Sequence, residues 1–300
     1  EAGQGRRGER EEQRRLDEFE LHHPQSVSIP HDVNTRVGDR LTRNTPPRRA
    51  HDRLGEGAFV VGHRDAASGP VACRLGLPGV PVASETVALH TIFELVRATG
   101  CRVHLCRISS AAGVELVRRA KHEGLPVTCD VAVHHLHLVD VDIGFFDSHY
   151  RVDPPFRAQR DRDAIRAGLA QGVIDAICSD HTPVDDDAKQ MPFGEAEPGV
   201  TGLELLLPLT LKWASESAVP LPAALARISC AAAAILRIDG GHLAPGAPAD
   251  LCLFDPNEHW LVEAASLRSQ GRHSPYLGRE LAGRSRVTLV GGRIVYSRPA

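Results

Sequence analysis

The sequence predicts an α/β fold, a piece of a βα barrel followed by a small β layer, and three stretches carry that reading. RVHLCRI (102–108), AAGVELVRRAKHEG (111–124) and LPVTCDVAV (125–133) follow one another as strand, helix and strand at the spacing of a parallel βαβ unit. The crossover in such a unit is nearly always right-handed. IDAICSDHTP (174–183) has three apolar residues in its first five and then turns abruptly polar, directly after a helix-like run. RVTLVGGRIVY (286–296) has the form of two short strands joined at Gly291-Gly292 as a hairpin.

Taken in order, residues 1 to about 50 differ from the rest. EAGQGRRGEREEQRRLDEFE is dense in charge, and no sustained hydrophobic period follows it as far as NTPPRRAHDR. Such a stretch buries too little apolar surface to offset its ordering entropy. Residues 1–55 are therefore expected to be a disordered or non-native charged segment, with at most a short helix over Glu9 to Glu20. Acidic residues are interleaved with the arginines, which favours a solvated tail over a nucleic-acid-binding arm. From about Ala72 a Gly/Pro-punctuated loop leads into a helix expected from Ser84 to Thr99, with Val87, Ile92, Leu95 and Val96 on its apolar side and Gly100 as the stop.

In the following strand Val103, Leu105 and Ile108 face one layer, and Ser109-Ser110 open the next helix. HHLHLVDVDIGFFDSHYRVDPPFR is irregular and His-rich; His137 and His149 read as surface or loop residues. DRDAIRAGLAQG is a helix, and VDDDAKQMPFGEAEPGVTG is a long loop of the kind that carries function. Two helices are expected at about Gly202–Ser217 and Pro222–Leu236, then short strands from GGHLAPGAPADLCLFDP onward. Residues 56–240 thus form the partial barrel and 241–300 the β-sandwich strands.

Three hundred residues with 42% hydrophobic content suit one large domain or two small ones. A formal net charge of -3 and a pI near 6.6 give no general pull toward nucleic acid or anionic membrane. No apolar run approaches a bilayer span and no signal-peptide pattern opens the chain. Seven cysteines without CxxC spacing suggest reduced thiols in a cytoplasmic protein. The only methionine is Met191, so the chain reads as a fragment, a processed form or a misassembled frame.

The polar end of IDAICSDHTP falls where barrels of alternating strands and helices keep their chemistry, at the carboxyl ends of the strands. Asp180 offers a carboxylate for proton transfer or metal binding, and His181 an imidazole beside it. The alternative is a capping aspartate and a surface histidine.

RLGLPGVPVASETVAL, VHLCRISSAAGVELVRRAKHEGLPVTCDVAVHHLHL, VDPPFR, AICSDHTP, EPGVTGLELLLPL and GHLAPGAPADLCLFDP stand in the order and spacing of the dihydroorotases of the amidohydrolase superfamily. The chain resembles that family from about Arg74 to Tyr296. The resemblance implies a TIM-type (β/α)8 barrel, partial here, with a β-sandwich built from both chain ends. It also implies a zinc centre that interconverts dihydroorotate and N-carbamoyl-aspartate in pyrimidine synthesis. Bound zinc supplies hydroxide at neutral pH by lowering the pKa of its water to about 7. By the same resemblance Asp180 is a metal ligand and the proton carrier, and Asp153, Pro198 and Gly199 stand at substrate-contact positions.

The chain also departs from the pattern. The His-x-His ligand pair, the bridging lysine or aspartate and the next histidine should precede residue 72 and are not recognisable; His51-Asp52 lacks the expected flanks. Where the family has a zinc-binding histidine ahead of a Ser-Thr pair, this chain has Arg107, and a guanidinium has no lone pair for a metal. The family's substrate-binding asparagine is Asp153, whose charge opposes a negatively charged substrate, and a further histidine is Val184. The family's His pair near His134 and His135 is not metal-ligating, so a structural role is expected there.

Positions 107 and 180 converge on one metal in the parent architecture, so Arg107 and Asp180 are expected to form a salt bridge through a paired hydrogen bond. Two readings follow: a zinc dihydroorotase with a degraded metal site, or an inactive dihydroorotase-like structural partner of aspartate carbamoyltransferase. A hydantoinase or allantoinase would need the same zinc set. A barrel without its leading strands has exposed edges. Expressed alone, the chain is expected to be poorly soluble; a well-behaved monomer with one sharp unfolding transition would contradict this.

Overall fold

Residues 65–298 and the strand β1 (Val27–Ile29) are described in the computed structural model of this chain. His51, Asp52 and the helix expected over Glu9–Glu20 lie outside the described residues. The sequence reading placed no element at Val27–Ile29, yet β1 pairs in parallel with β4 (Val103–Leu105), Val27 opposite Val103 and Ile29 opposite Leu105. That pairing satisfies backbone groups that an open edge of β4 would leave unpaired.

β2 (Ala66–Ala67) and β3 (Gly79–Val80) form a small parallel pair around α1 (Pro70–Leu75). A loop was expected through this stretch, but Pro70 fits the first turn of a helix, where its missing N–H costs nothing. α2 (Val82–Thr99) ends on Gly100 in the left-handed region and buries Glu85, Leu89, Ile92, Phe93 and Val96. Val87 and Leu95, expected on the apolar side, are each 60% exposed. The stripe 85, 89, 92, 96 fixes the buried face, and at 100° per residue position 87 points nearly opposite and 95 flanks it.

β4 (Val103–Leu105), α3 (Ala111–His122), β5 (Val127–Ala132), α4 (Gln159–Ala170) and β6 (Ala176–Cys178) continue the barrel arc. The strands lie in the order β1, β4, β5, β6, all parallel, with His104 opposite Thr128 and Asp130 opposite Ala176. Alternation then sorts the side chains by parity. Val103, Leu105, Val127, Cys129, Val131 and Ile177 are buried in the core cluster with the helices. His104, Thr128, Asp130, Cys178 and the residues just past the strands share the other face, which becomes the barrel interior.

Buried Glu85 ties α2 to the start of α3. Its carboxylate accepts from Ser109 N at 3.1 Å, Ser110 N at 3.3 Å, Ser110 Oγ at 2.9 Å and also from Ser109 Oγ. Ser110 in turn caps α3 by accepting from Gly113 N at 3.0 Å.

After a short turn at Leu203–Leu205, α5 (Leu206–Glu216) buries Trp213 completely. The single helix expected at Pro222–Leu236 is two, α6 (Leu221–Ala226) and α7 (Cys230–Leu236). The break is made by the sheet: Arg227 O accepts from Ile177 N on β6 at 3.0 Å, which turns that carbonyl away from the helix axis. β7 (Leu251–Leu261), β8 (Glu280–Val290) and β9 (Arg293–Ser297) form an antiparallel sheet, with Gly291-Gly292 as the hairpin turn. β7 is longer than the sequence suggests because a register shift between Asp255 and His259 accommodates Pro256. Gly283 lets β8 approach α5, since a Cβ there would come within 2.4 Å of Leu211 Cδ1. Trp260, Val262 and Leu281 thereby join the same core as the barrel helices.

Glu85→Ala removes the shared acceptor of four buried donors. It is expected to lower the unfolding free energy by about 2–4 kcal/mol, measurable by urea titration; a loss within experimental error would show that the α2–α3 junction does not depend on this carboxylate.

Candidate active site

The site is set by two turns just past the ends of β4 and β6. Arg107 has φ 60° and Asp180 φ 46°, so both members of the expected ion pair lie in the left-handed region, which non-glycine residues adopt only when their surroundings fix it. Asp130 on β5 fixes the first turn, accepting from Arg107 N at 2.7 Å and, through its own carbonyl, from Ile108 N at 3.0 Å. The second turn is held by Val200, which pairs with His181 and accepts from Thr182 N at 2.9 Å. That approach requires glycine at 199 and 202, where a Cβ would meet Thr182 O at 2.5 Å and Ser179 O at 2.3 Å.

Arg107 Nη1 donates to Asp180 Oδ1 at 3.0 Å, and the side chains are only 24% and 11% exposed. The salt bridge read from the substitution is present, but not as a two-nitrogen fork. The same Nη1 also donates to the carbonyl of Asp153 at 2.8 Å, so the guanidinium is shared between a carboxylate and a backbone oxygen. Asp180 Oδ2 stands 3.4 Å from His134 Nε2, without hydrogen-bonding geometry. Burial raises the carboxyl's pKa, but the adjoining His134, the Arg107 charge and His135 outweigh it and hold Asp180 below the ordinary aspartate value. Burial lowers the Arg107 value, yet Asp180 and Asp153 raise it overall.

His134 and His135 are 1% and 3% exposed, pack at 5.5 and 5.1 Å from the Phe156 ring, and make no hydrogen bond with any ring nitrogen. Burial, with His134 beside it, pushes His135 down to about 3. His181 is used structurally: Nδ1 accepts from Gly202 N and Leu203 N at 3.2 Å each, leaving Nε2 for Ser269 Oγ at 3.3 Å. His137 corrects the sequence reading, which put it at the surface. Its side chain is 4% exposed and bonds Leu209 O at 2.9 Å, because α5 packs over this turn, and burial pushes it down to about 4. His149 is half-buried in a turn and pairs with Asp147 at 2.8 Å.

The other positions singled out from sequence are placed as follows. Asp153 is exposed and reaches the site through its carbonyl. Pro198 is exposed, and Gly199 is buried with its N–H given to Arg151 O at 3.0 Å, so that donor is already engaged. Val184 is buried. Asp130, which organises the whole strand-end region, was missed; its strand parity with His104 was the available signal.

The side chains around Asp180 do not, among the described residues, supply a zinc ligand set. Among the described residues, the group of His, Cys, Asp or Glu donors that converges is His104, Cys106 and Asp130, and Asp180 is not part of it. A cation without lone pairs lies against the Asp180 carboxylate instead.

Arg107→Met or Asp180→Asn is expected to cost about 1–3 kcal/mol each by leaving the other charge half-buried and unpaired, and the double variant less than their sum. Chemical denaturation of the four proteins measures the coupling; strictly additive losses would contradict it. Because folded Asp180 is below the unfolded value of about 3.9, its stabilisation is complete above about pH 4 and is lost as pH falls through the folded value. His135 and His137 act oppositely to a paired histidine. They stay neutral in the fold, so stability falls by about 1.4 kcal/mol per pH unit per imidazole once pH drops below about 6.5. His137→Gln should flatten the profile between pH 6 and 4, and an unchanged slope would contradict the burial of a neutral imidazole there.

A family model described as the amidohydrolase family matches residues 66–296. A dihydroorotase-like protein of Pseudomonas aeruginosa is 46% identical over 231 residues, covering 77% of this chain and 54% of that protein. A dihydroorotase of a Geobacter species is 39% identical over 241 residues, covering 80% and 57%. Among solved structures, L-hydantoinase from Arthrobacter aurescens superposes with a TM-score of 0.68 at 27% identity, covering 72% of this chain and 49% of its own. The chain spans about half the length of the curated relatives it matches, and the barrel arc is partial. On the family match and the fold together, this chain belongs to the amidohydrolase family.

Proposed function

We propose that this chain is a dihydroorotase-like protein that does not hydrolyse cyclic amides and that serves as a structural partner of aspartate carbamoyltransferase. The observation that carries the reading is the Arg107–Asp180 ion pair, 3.0 Å long, at the strand ends. Ring opening of a cyclic amide needs a nucleophilic hydroxide, a Lewis acid on the carbonyl, and a carboxylate that collects a proton and passes it to the leaving nitrogen. A carboxylate held by a guanidinium and depressed in pKa is a poor proton carrier, and the cation beside it replaces a ligand with a group that repels metal ions. The negative charge of Asp153 and the engaged N–H of Gly199 also weaken the recognition of an anionic substrate such as dihydroorotate. The Pseudomonas aeruginosa relative is likewise called a dihydroorotase-like protein, which supports this branch.

A second reading has a specific observation in its favour: relatives 35–39% identical carry the name dihydroorotase. In that reading the chain is a zinc-dependent hydrolase of pyrimidine synthesis whose missing donors come from outside the described residues.

Incubation of the purified chain with dihydroorotate and excess zinc separates the two. The proposal expects no conversion to N-carbamoyl-aspartate in either direction, and co-elution with aspartate carbamoyltransferase from the same organism on size exclusion. Turnover that disappears in Asp180→Asn would overturn the inactive reading, and separate elution of the two proteins would overturn the partnership.

A further inference from the structure

The barrel interior holds a second donor cluster, one layer below the Arg107–Asp180 pair. His104 on β4, Cys106 just beyond it and Asp130 on β5 bring one nitrogen, one sulfur and one oxygen within 4.8 Å of one another. Donors bound to one tetrahedral zinc-type ion lie roughly 3.3–3.8 Å apart, given bonds of about 2.0–2.3 Å, so shifts of about an ångström complete the approach. The cluster also has the supporting bonds of a ligand set. His104 Nδ1 lies 2.9 Å from Thr128 Oγ1, which orients the ring and turns Nε2 toward Asp130 Oδ2, 3.0 Å away. Asp130 Oδ1 is fixed from its far side by Arg107 N at 2.7 Å, leaving Oδ2 on the cluster side. Hydroxyl and amide partners behind the donor atoms are the arrangement that holds ligating imidazoles and carboxylates in place. A second thiol, Cys178 on β6, lies 3.4 Å from Asp130 Oδ1.

The chemistry of the set is selective. One imidazole, one carboxylate and one thiol from two adjacent parallel strands suit a thiophilic divalent ion and are ill-suited to magnesium or calcium, which want oxygen. The His104 and Asp130 side chains are 20% and 12% exposed, so the position is sheltered but reachable. We propose that His104, Cys106 and Asp130 bind one divalent ion of the zinc class, at a position distinct from Asp180. On binding, the Cys106 S–H bond is broken, the thiolate sulfur donates its electron pair to the ion and the proton leaves to solvent. The Nε2 proton that His104 gives to Asp130 leaves to solvent, while Nδ1 takes one up and donates to Thr128 Oγ1. The His104–Asp130 hydrogen bond is thereby replaced by one bond to the ion from Nε2 and one from Asp130 Oδ2.

Cobalt(II) titration of the reduced, full chain tests this. One equivalent should bind, with a sulfur-to-cobalt charge-transfer band in the near ultraviolet, visible bands of a tetrahedral ion, and displacement of both by one equivalent of zinc. Cys106→Ser should abolish the charge-transfer band. Thr128→Val, which leaves every donor in place, should weaken affinity by about 10–100-fold, with far-ultraviolet circular dichroism confirming that each variant is folded. Asp180→Asn should leave the band and the affinity unchanged, which separates this site from the reading of the strand-end pair. No stoichiometric binding, a full band retained in Cys106→Ser, or loss of binding in Asp180→Asn with Thr128→Val unaffected would each overturn the proposal.

Discussion

The structure depends on the constraint that two strand-end turns, at Arg107 and Asp180, project opposite charges into one small volume. Both turns adopt left-handed backbone, and neither is held there by its own side chain alone. Asp130 anchors one through the backbone N–H of Arg107, and the close passage of Val200 over Thr182 anchors the other. The ion pair is therefore pre-positioned by the barrel arc. Its partners need no large rearrangement to meet, and this favours a charge-assisted hydrogen bond at low exposure over a solvated surface pair.

Asp130 is the common element of the two polar layers. Its backbone carries a sheet register shared with β6, its carbonyl and carboxylate define the turn after β4, and its second oxygen faces His104. Where the family resemblance implies a metal at the strand ends, this chain has a guanidinium against Asp180, with nitrogen, sulfur and oxygen donors gathered at His104, Cys106 and Asp130. The apolar support is unaffected by that exchange. Odd-numbered strand residues and the Glu85-to-serine junction carry the packing, while even-numbered residues vary in chemistry over the same frame.

Much of this was legible in the sequence. Val103, Leu105 and the run 127–131 alternate cleanly, and Ser110 and Gly100 mark helix ends, so the βαβ arc and the place of Asp180 could be read from local pattern. The motif order carried the family, and the substitution at 107 carried the ion pair. Tertiary contacts decided what was misread. Arg227 breaks a helix only because Ile177 needs its carbonyl, His137 is buried only because α5 covers it, and Pro256 is absorbed only because β8 allows a register shift. The expected paired hydrogen bond is a single one through Nη1, which also donates to the carbonyl of Asp153, a partner remote in sequence. His104 and Asp130 were passed over because their relation lies in strand parity across 26 residues, not in a contiguous motif.

The central claim is that a guanidinium holds the Asp180 carboxylate, at a position where the family resemblance implies a metal ion. Anomalous diffraction at the zinc edge, from crystals of this chain grown with excess zinc, tests it most directly. The account predicts no anomalous peak within bonding distance of the Asp180 carboxylate, with Arg107 still in hydrogen-bond contact. A peak bonded to Asp180, with Arg107 swung aside, would contradict it.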